Sequence, residues 1–153
     1  MVNKSRKKIV VLASGVFDLI HLGHVKFLEA AKKTGGKNAE LIVIVARDST
    51  VKKSKGRKPI MPEDERRALV ESLKVVDKAV LGYKNFSIGE VIENIKPEVI
   101  ALGYDQVGME KEVQDYVAKN KVNVKIVRIR RFGENSLDSS SKIKQEIIDK
   151  LCS

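Results

Sequence analysis

Short apolar runs alternate with amphipathic segments along the chain. Five runs have the length and the β-branched content of strands, and the first two contain at least five consecutive apolar residues, which is typical of parallel strands buried on both faces. They are Lys8 to Ala13, Leu41 to Ala46, Lys78 to Leu81, Val99 to Leu102 and Val124 to Ile129. Strands that alternate with helices predict an α/β fold, here a Rossmann-like, doubly wound parallel sheet of five strands.

Apolar residues recur at helical spacing between these runs. The first helix is predicted from about Gly23 to Lys33, with Val25, Leu28 and Ala31 on one face, and it ends at Thr34-Gly-Gly36. A second helix is predicted to open at Pro62, with Ala68, Leu69 and Leu73 facing inward. Three further helices are predicted over Ser87 to Asn94, Glu110 to Lys119 and Ser139 to Leu151. The last of these has Ile143, Ile147 and Ile148 on one face. We find no repeat or linker, so residues 1–153 are predicted to form a single domain.

Composition narrows the class of protein. With 42% hydrophobic residues the chain can build a core, and no apolar run approaches the roughly 18 residues of a membrane span, so we expect a cytoplasmic protein. The lone Cys152 excludes an intrachain disulfide. A net charge of +10 favours anionic partners: nucleic acid, a membrane surface or phosphate-bearing small molecules. Aromatic residues make up only 5% of the chain and none interleaves with the basic stretch Lys52 to Lys58, so a stacking platform for single-stranded nucleic acid is poorly supported.

The unusual segments of the chain follow the carboxyl ends of predicted strands. Ligands of doubly wound sheets bind at that edge. The segments are Ser14 to His24, Arg47 to Lys58 within a polar stretch reaching Pro62 that is too long and charged to be buried, Gly103 to Gln106, and Arg130 to Lys142. Their shared position predicts one active site.

Both histidines of the chain lie in the first of these segments, as His21-Leu-Gly-His24. At a strand-to-helix junction their imidazoles can converge, Gly23 leaves room for a phosphate, and the helix N-terminus favours an anion. Two alternatives stay open: an incomplete metal site with Asp18, and two incidental histidines.

The run Gly15-Val-Phe-Asp-Leu-Ile-His-Leu-Gly-His24 resembles the first motif of the H-x-G-H nucleotidyltransferase superfamily, the cytidylyltransferase-like enzymes. Ser139-Ser-Ser-Lys-Ile143 resembles its second motif, at the start of the last helix. The segments Arg47 to Pro59 and Leu102-Gly-Tyr-Asp-Gln106 most resemble the archaeal FAD synthetases.

This resemblance implies an enzyme that binds ATP and transfers AMP to FMN, giving FAD and pyrophosphate by in-line attack on the α-phosphate. It implies catalytic roles for His21, His24 and Lys142. The implied nucleotide-binding residues are Val16, Phe17, His21, Gly23, His24, Lys55, Lys58, Arg66, Asp105, Ser139, Ser140 and Ser141. Lys55 and Lys58 would lie in a loop over the triphosphate or in a solvated charge run. Arg66 would lie near phosphates or in a helix-surface salt bridge.

The resemblance also implies Mg²⁺ or another divalent cation bound with the triphosphate, without a metal site made by the protein alone. Asp18 would orient the helix or contact the cation indirectly. Relatives often form dimers, so a homodimer is allowed, whereas no nucleic acid or membrane partner is expected. The alternative enzyme is a cytidylyltransferase that uses CTP and glycerol 3-phosphate or a related alcohol or sugar phosphate. Alternatives of another class are a basic nucleic-acid-binding module and a non-catalytic nucleotide sensor.

The sequence offers no evident aromatic cage for an isoalloxazine ring. The only candidates are Phe17, Tyr83, Phe86, Tyr104 and Phe132.

Overall fold

A computed structural model describes residues 6–133 and 137–152 of the chain. Its five strands form one parallel sheet in the order β3-β2-β1-β4-β5. They are β1 (Ile9–Gly15), β2 (Ala39–Val45), β3 (Lys78–Leu81), β4 (Val99–Gly103) and β5 (Lys125–Ile129). The strand order reverses at β1, which pairs with β2 on one side and with β4 on the other. The predicted doubly wound sheet is therefore confirmed.

Six α-helices flank the sheet within the described ranges. They are α1 (Leu22–Lys33), α2 (Asp48–Lys55), α3 (Glu63–Glu71), α4 (Ile88–Ile95), α5 (Val107–Asn120) and α6 (Ser140–Leu151). A short 3-10 turn, Gly36–Asn38, precedes β2. No helix in the described part of the chain is long and apolar enough to cross a membrane.

Side chains alternate between the two faces of the sheet and build an apolar cluster on each. On one face the strands pack against Leu28 and Ala31 of α1 and Val70 of α3. The opposite cluster comprises Leu12, Ile44, Ile100 and Leu102 with Val91 and Ile92 of α4 and Val113 of α5. The sheet thus has an α1/α3 face and an α4/α5 face, and its carboxyl edge lies between them.

The polar segment from Arg47 to Pro62 is more ordered than its charge predicts. Its first half is α2, whose Val51 is buried, and the helix ends at Gly56 with a φ of 74°. Asp48 in the first turn and lysines in the last suit the helix dipole. The prediction that the segment is too charged for burial is wrong at Val51, because this one apolar side chain points inward and packs the helix against the rest of the fold.

Helix α3 turns a different face inward from the one predicted. Its buried residues are Arg66 and Val70, four positions apart, while Ala68 is exposed and Leu69 is 42% exposed. Leu73, beyond the helix end, packs partly on the core as expected. The expectation for Ala68 and Leu69 is wrong because Arg66 takes the inward position, where its guanidinium has polar partners from three other segments.

The last helix contributes little to the core. Ile143 is half-buried, but Ile147 and Ile148 on the same face are 49% and 52% exposed. The importance of α6 therefore lies at its N-terminus, which reaches the carboxyl edge of the sheet.

Candidate active site

The four segments predicted at the sheet edge meet around one cavity of about 530 Å³. That volume lies in the usual range for small-molecule sites. Residues from the loop after β1, from α2, from the loop after β4 and from the segment after β5 all line it. Residues 134–136 of the last segment lie outside the described residues. The structure thus brings the four segments together.

The loop after β1 has an unusual backbone. Phe17 and Leu19 adopt left-handed φ values of 54° and 50°, which are costly for bulky side chains. Burial of Phe17 holds the first: its ring is 2% exposed and lies 5.3 Å from the His24 ring, centroid to centroid. Gly15 permits this packing, since a Cβ there would lie 3.0 Å from the Phe17 ring. The loop is therefore held in one shape that presents the histidines.

His21 and His24 converge as the sequence predicts. Their rings stack with centroids 3.8 Å apart and planes at 26°. The His21 backbone N–H donates to Nδ1 of His24 over 3.3 Å. Neutral His24 therefore carries its proton on Nε2, which remains the donor for a ligand.

The surroundings keep both imidazoles neutral. Burial lowers the pKa of His24 to about 4, and the neighbouring His21 acts in the same direction, against an opposing effect of Asp18. Burial also lowers the pKa of His21, while Asp138 opposes this shift. Nδ1 of His21 is buried and has no hydrogen-bond partner within the described residues. Near neutral pH the pair thus offers hydrogen bonds without a buried positive charge.

The N-terminus of α6 lies beside the histidines. The Ser139 hydroxyl accepts from the Lys142 backbone N–H over 3.2 Å and caps the helix. The Ser140 hydroxyl donates to the Asp18 carbonyl over 2.6 Å. Ser140 therefore joins α6 to the histidine loop, and its backbone N–H and that of Ser141 have no acceptor within the helix. Such N–H groups form an anion site together with the helix dipole.

A small ionic network flanks this helix terminus. Asp138, whose side chain is 3% exposed, pairs with Lys142 at 2.7 Å and with Arg131 at 2.9 Å. The hydrogen bond from Lys142 lowers the pKa of Asp138, and Arg131 adds to the effect. Lys142, predicted to be catalytic, is thus paired with Asp138 and does not line the cavity.

Asp18 and Arg66 lie beneath the histidine loop and fix it. Arg66 is fully buried and donates to the carbonyls of Val16, at 2.6 Å, and Met61, at 2.9 Å, and to Asp48 at 2.6 Å. The alternative of a helix-surface salt bridge is wrong, because the Arg66 side chain that pairs with Asp48 is 0% exposed. Arg66 also stands outside the cavity lining, so the structure does not place it among the groups that a nucleotide would touch.

The Asp18 carboxylate has three donors. It accepts from the Ile60 and Met61 backbone N–H groups at 2.9 and 3.0 Å, and Lys144 lies 3.3 Å away. Burial raises the pKa of Asp18, but these donors outweigh it and leave the pKa below its usual value. These contacts join Asp18 to the segment before α3 and to α6, and its predicted role of orienting the helix stays a prediction.

The other predicted nucleotide-binding residues divide into two groups. Those that line the cavity are Val16, Phe17, Gly23, Asp105, Ser139 and Ser140. Those outside its lining are Ser141 and the exposed Lys55 and Lys58. Lys55 is the last residue of α2 rather than part of a loop, so the prediction of a loop at this position is wrong. At Gly23 the expected room for a phosphate is instead taken by the Asp138 carbonyl and the His21 ring, which approach to within 3 Å of where a Cβ would lie.

Several lining residues were missed from the sequence. Arg130 and Arg131 both line the cavity, and two adjacent arginines directly after a predicted strand were a signal for them. Ile44, at the end of β2, and Met109, in the first turn of α5, were not separable from ordinary core residues. All five candidate aromatics line the cavity, and Phe17 is the one among them that is buried, at 2% exposed.

The described residues contain no group of three or more His, Cys, Asp or Glu side chains arranged to hold a metal ion. The metal alternative for the histidine pair with Asp18 therefore has no support in this geometry.

Comparison with known proteins shows the family to which the chain belongs. The sequence model described as cytidylyltransferase-like matches residues 12–146. The chain is 48% identical over 141 residues to an FAD synthase of Aciduliprofundum boonei, covering 92% of this chain and 91% of the relative. It is 47% identical over 140 residues to an FAD synthase of Methanopyrus kandleri, covering 91% of each.

A solved structure has the same architecture. The crystal structure of a protein from Thermoplasma volcanium GSS1, described as a lipopolysaccharide core biosynthesis protein, is 45% identical with a TM-score of 0.74. The match covers 83% of this chain and 100% of that one. The family-model match, the fold and the similarity over nine tenths of the chain together show that this chain belongs to the cytidylyltransferase-like family and is a nucleotidyltransferase.

Proposed function

We propose that the protein is an FMN adenylyltransferase, which makes FAD and pyrophosphate from FMN and ATP. The observation that carries the proposal is the pair of neutral imidazoles beside the N-terminus of α6 within one large cavity. The identity of the acceptor is supported by the FAD synthases to which the chain is 47–48% identical over nine tenths of its length.

In the proposed reaction an oxygen of the FMN phosphate attacks the α-phosphorus of ATP. The new P–O bond forms as the bond from the α-phosphorus to the bridging oxygen breaks, and pyrophosphate leaves with the electron pair. Nε2 of His24 donates to phosphate oxygens as negative charge develops, with His21 beside it. The N–H groups at the start of α6 hold the departing phosphates. The protein thus acts by positioning and charge stabilisation.

A divalent cation belongs to the proposal as a partner of the triphosphate. The described residues supply no cage of three or more ligating side chains for it, so the phosphate oxygens would be its main ligands. When bound, the cation neutralises phosphate charge. The cytoplasmic location, the homodimer and the lack of a nucleic-acid partner stay predictions from the sequence.

The test is product analysis with purified protein and Mg²⁺. FMN with ATP should give FAD and pyrophosphate in equal amounts, whereas CTP with glycerol 3-phosphate should give none. The reverse pattern would establish the cytidylyltransferase alternative. Binding of nucleotide without any turnover would establish the sensor instead.

A further inference from the structure

One side of the cavity is apolar, and it belongs to the α4/α5 face of the sheet. Ile44 and its β1 neighbour Ser14 point to that face, and the Ser14 hydroxyl lies 3.4 Å from the sulfur of Met109 on α5. Phe86, from the loop before α4, lies with them. We define the apolar bay as Ile44, Phe86 and Met109. A void of about 30 Å³, lined mainly by core side chains, adjoins it and shares these walls.

The phosphate-binding groups lie elsewhere in the cavity. His24 belongs to α1, which packs on the opposite face, and Ser140 at the start of α6 bonds to the loop that carries the histidines. The cavity therefore crosses the carboxyl edge of the sheet, with polar donors on one side and the apolar bay on the other.

The two substrates of the proposed reaction differ in the edges of their rings. Adenine carries a nitrogen acceptor or donor around almost all of its periphery, and burial without partners is costly for such groups. The isoalloxazine ring carries all its polar atoms at the pyrimidine end and the central ring, while its dimethylbenzene end is hydrocarbon. Only the dimethylbenzene end matches three apolar side chains backed by a further apolar void.

We propose that the apolar bay of Ile44, Phe86 and Met109 holds the dimethylbenzene end of the flavin and thereby selects FMN as acceptor. This inference rests on the proposed function. The ribityl phosphate then extends across the sheet edge toward His21 and His24. Adenosine then binds at the loops after β4 and β5. There Tyr104 and Asp105 line the cavity, and Arg131 lies 5.7 Å from the Tyr104 ring.

Phe86 is the side chain on which this assignment depends most. It is 41% exposed although it is large and apolar, so a planar ring placed in the bay would cover it. Stacking of an aromatic ring on a side chain contributes about 1–3 kcal/mol, which corresponds to roughly five- to hundred-fold in affinity. Its exposure also means that its truncation should leave the core intact.

The test is a double-mutant-type cycle, in which truncation of Phe86 is combined with removal of the two methyl groups of the flavin. The steady-state KM for FMN and for an analogue lacking the methyl groups at C7 and C8 is measured with wild-type protein and with Phe86→Ala. In the wild type we expect loss of both methyls to raise KM about fifteenfold, from about fourfold for each buried methyl. Phe86→Ala should raise the KM for FMN about tenfold, should leave that for ATP within twofold, and should shrink the penalty for methyl loss to about threefold or less.

Leu69→Ala is the matched control, because Leu69 is a similarly exposed apolar residue outside the cavity lining. It should change neither KM. Met109→Ala gives a second cycle, with melting temperatures measured for all variants. An unchanged methyl penalty in both cycles, with FAD still formed, overturns the bay assignment and leaves the proposed function standing. Absence of FAD formation by the wild type overturns the proposed function itself.

Discussion

At the scale of single residues, the site is built around His24 as a neutral donor. Its Nδ1 accepts a backbone hydrogen bond, its ring stacks on His21 and touches Phe17, and burial lowers its pKa to about 4. A charged imidazolium would bind ATP more strongly in the ground state. A neutral donor stabilises the transition state more than the ground state, because negative charge develops there, and such interactions raise kcat.

Truncation of His24 measures this contribution. We expect His24→Ala to lower kcat by roughly 10²–10³, the usual loss for one preorganised donor, with a small change in KM for ATP. Steady-state kinetics of FAD formation give both values. A loss below tenfold in a variant that melts like the wild type would contradict the assigned role.

The low pKa of His24 also predicts a pH dependence of stability. Below pH about 6.5 the unfolded chain protonates this histidine, whereas the folded chain does so only near pH 4. The free energy of unfolding should therefore fall as the pH falls through this window, by on the order of 3 kcal/mol from this group. Urea unfolding at pH 7 and pH 5 should show a smaller loss in His24→Asn than in the wild type. Equal losses would exclude the burial of a neutral imidazole.

Gly23 tests the geometry of the same loop. A Cβ at this position would lie 2.8 Å from the Asp138 carbonyl oxygen and 2.9 Å from Cε1 of His21. Because the carbonyl is backbone, the His21 ring and the start of α6 must separate. We expect Gly23→Ala to lower kcat about 10²-fold, the cost of displacing a catalytic group by about 1 Å.

Gly108→Ala is the control for this substitution. A Cβ on Gly108, in the first turn of α5, meets nothing within 4 Å. Its kinetics should match the wild type. Similar kinetics for both alanine variants would show that the close approach at Gly23 does not matter.

At the scale of elements, buried polar groups add to the packing of Phe17 in fixing the active loop. Arg66 of α3 holds the loop through the Val16 carbonyl, and Asp18 of the loop holds the segment before α3. Lys144 and Ser140 connect α6 to the same Asp18 residue. The loop, α3 and α6 are therefore connected by one network of polar contacts beneath the histidines.

Arg66→Lys tests the contribution of Arg66 to this network. Lysine keeps the charge but cannot reach the three acceptors as the planar guanidinium does, so we expect a loss of about 2–4 kcal/mol in the free energy of unfolding. Arg67→Lys, on the same helix, is the control, because Arg67 is partly exposed and pairs with Glu71. It should cost less than about 1 kcal/mol. Equal losses in urea unfolding would contradict the role of Arg66.

The elements themselves were largely predictable from the sequence, because β-branched runs and helical spacing report burial directly. The inward position of Arg66 was not, since its acceptors come from Val16, Asp48 and Met61, which only the fold brings together. The convergence of the two histidines was predictable because His21, Gly23 and His24 lie within four consecutive residues.

At the scale of the whole molecule, strand order decides which residues meet. With β1 in the centre, the loops after β1 and β4 and the start of α6 converge, while β2 contributes Ile44 to the same cavity from the other face. Strand order was not predictable from the pattern of apolar runs, so the apolar bay could not be recognised. Part of the net charge of +10 reaches the cavity through Arg130 and Arg131, which suits two anionic substrates.

Transfer of the adenylyl group, which carries the α-phosphorus of ATP, is the central claim, and isotopic labelling tests it most directly. Purified protein is given FMN with ATP labelled with ³²P at either the α- or the γ-position, and the flavin product is separated from pyrophosphate. We predict that the α-label appears in FAD and that the γ-label appears only in pyrophosphate. Recovery of the γ-label in the flavin product, or of neither label there, would contradict nucleotidyl transfer to FMN.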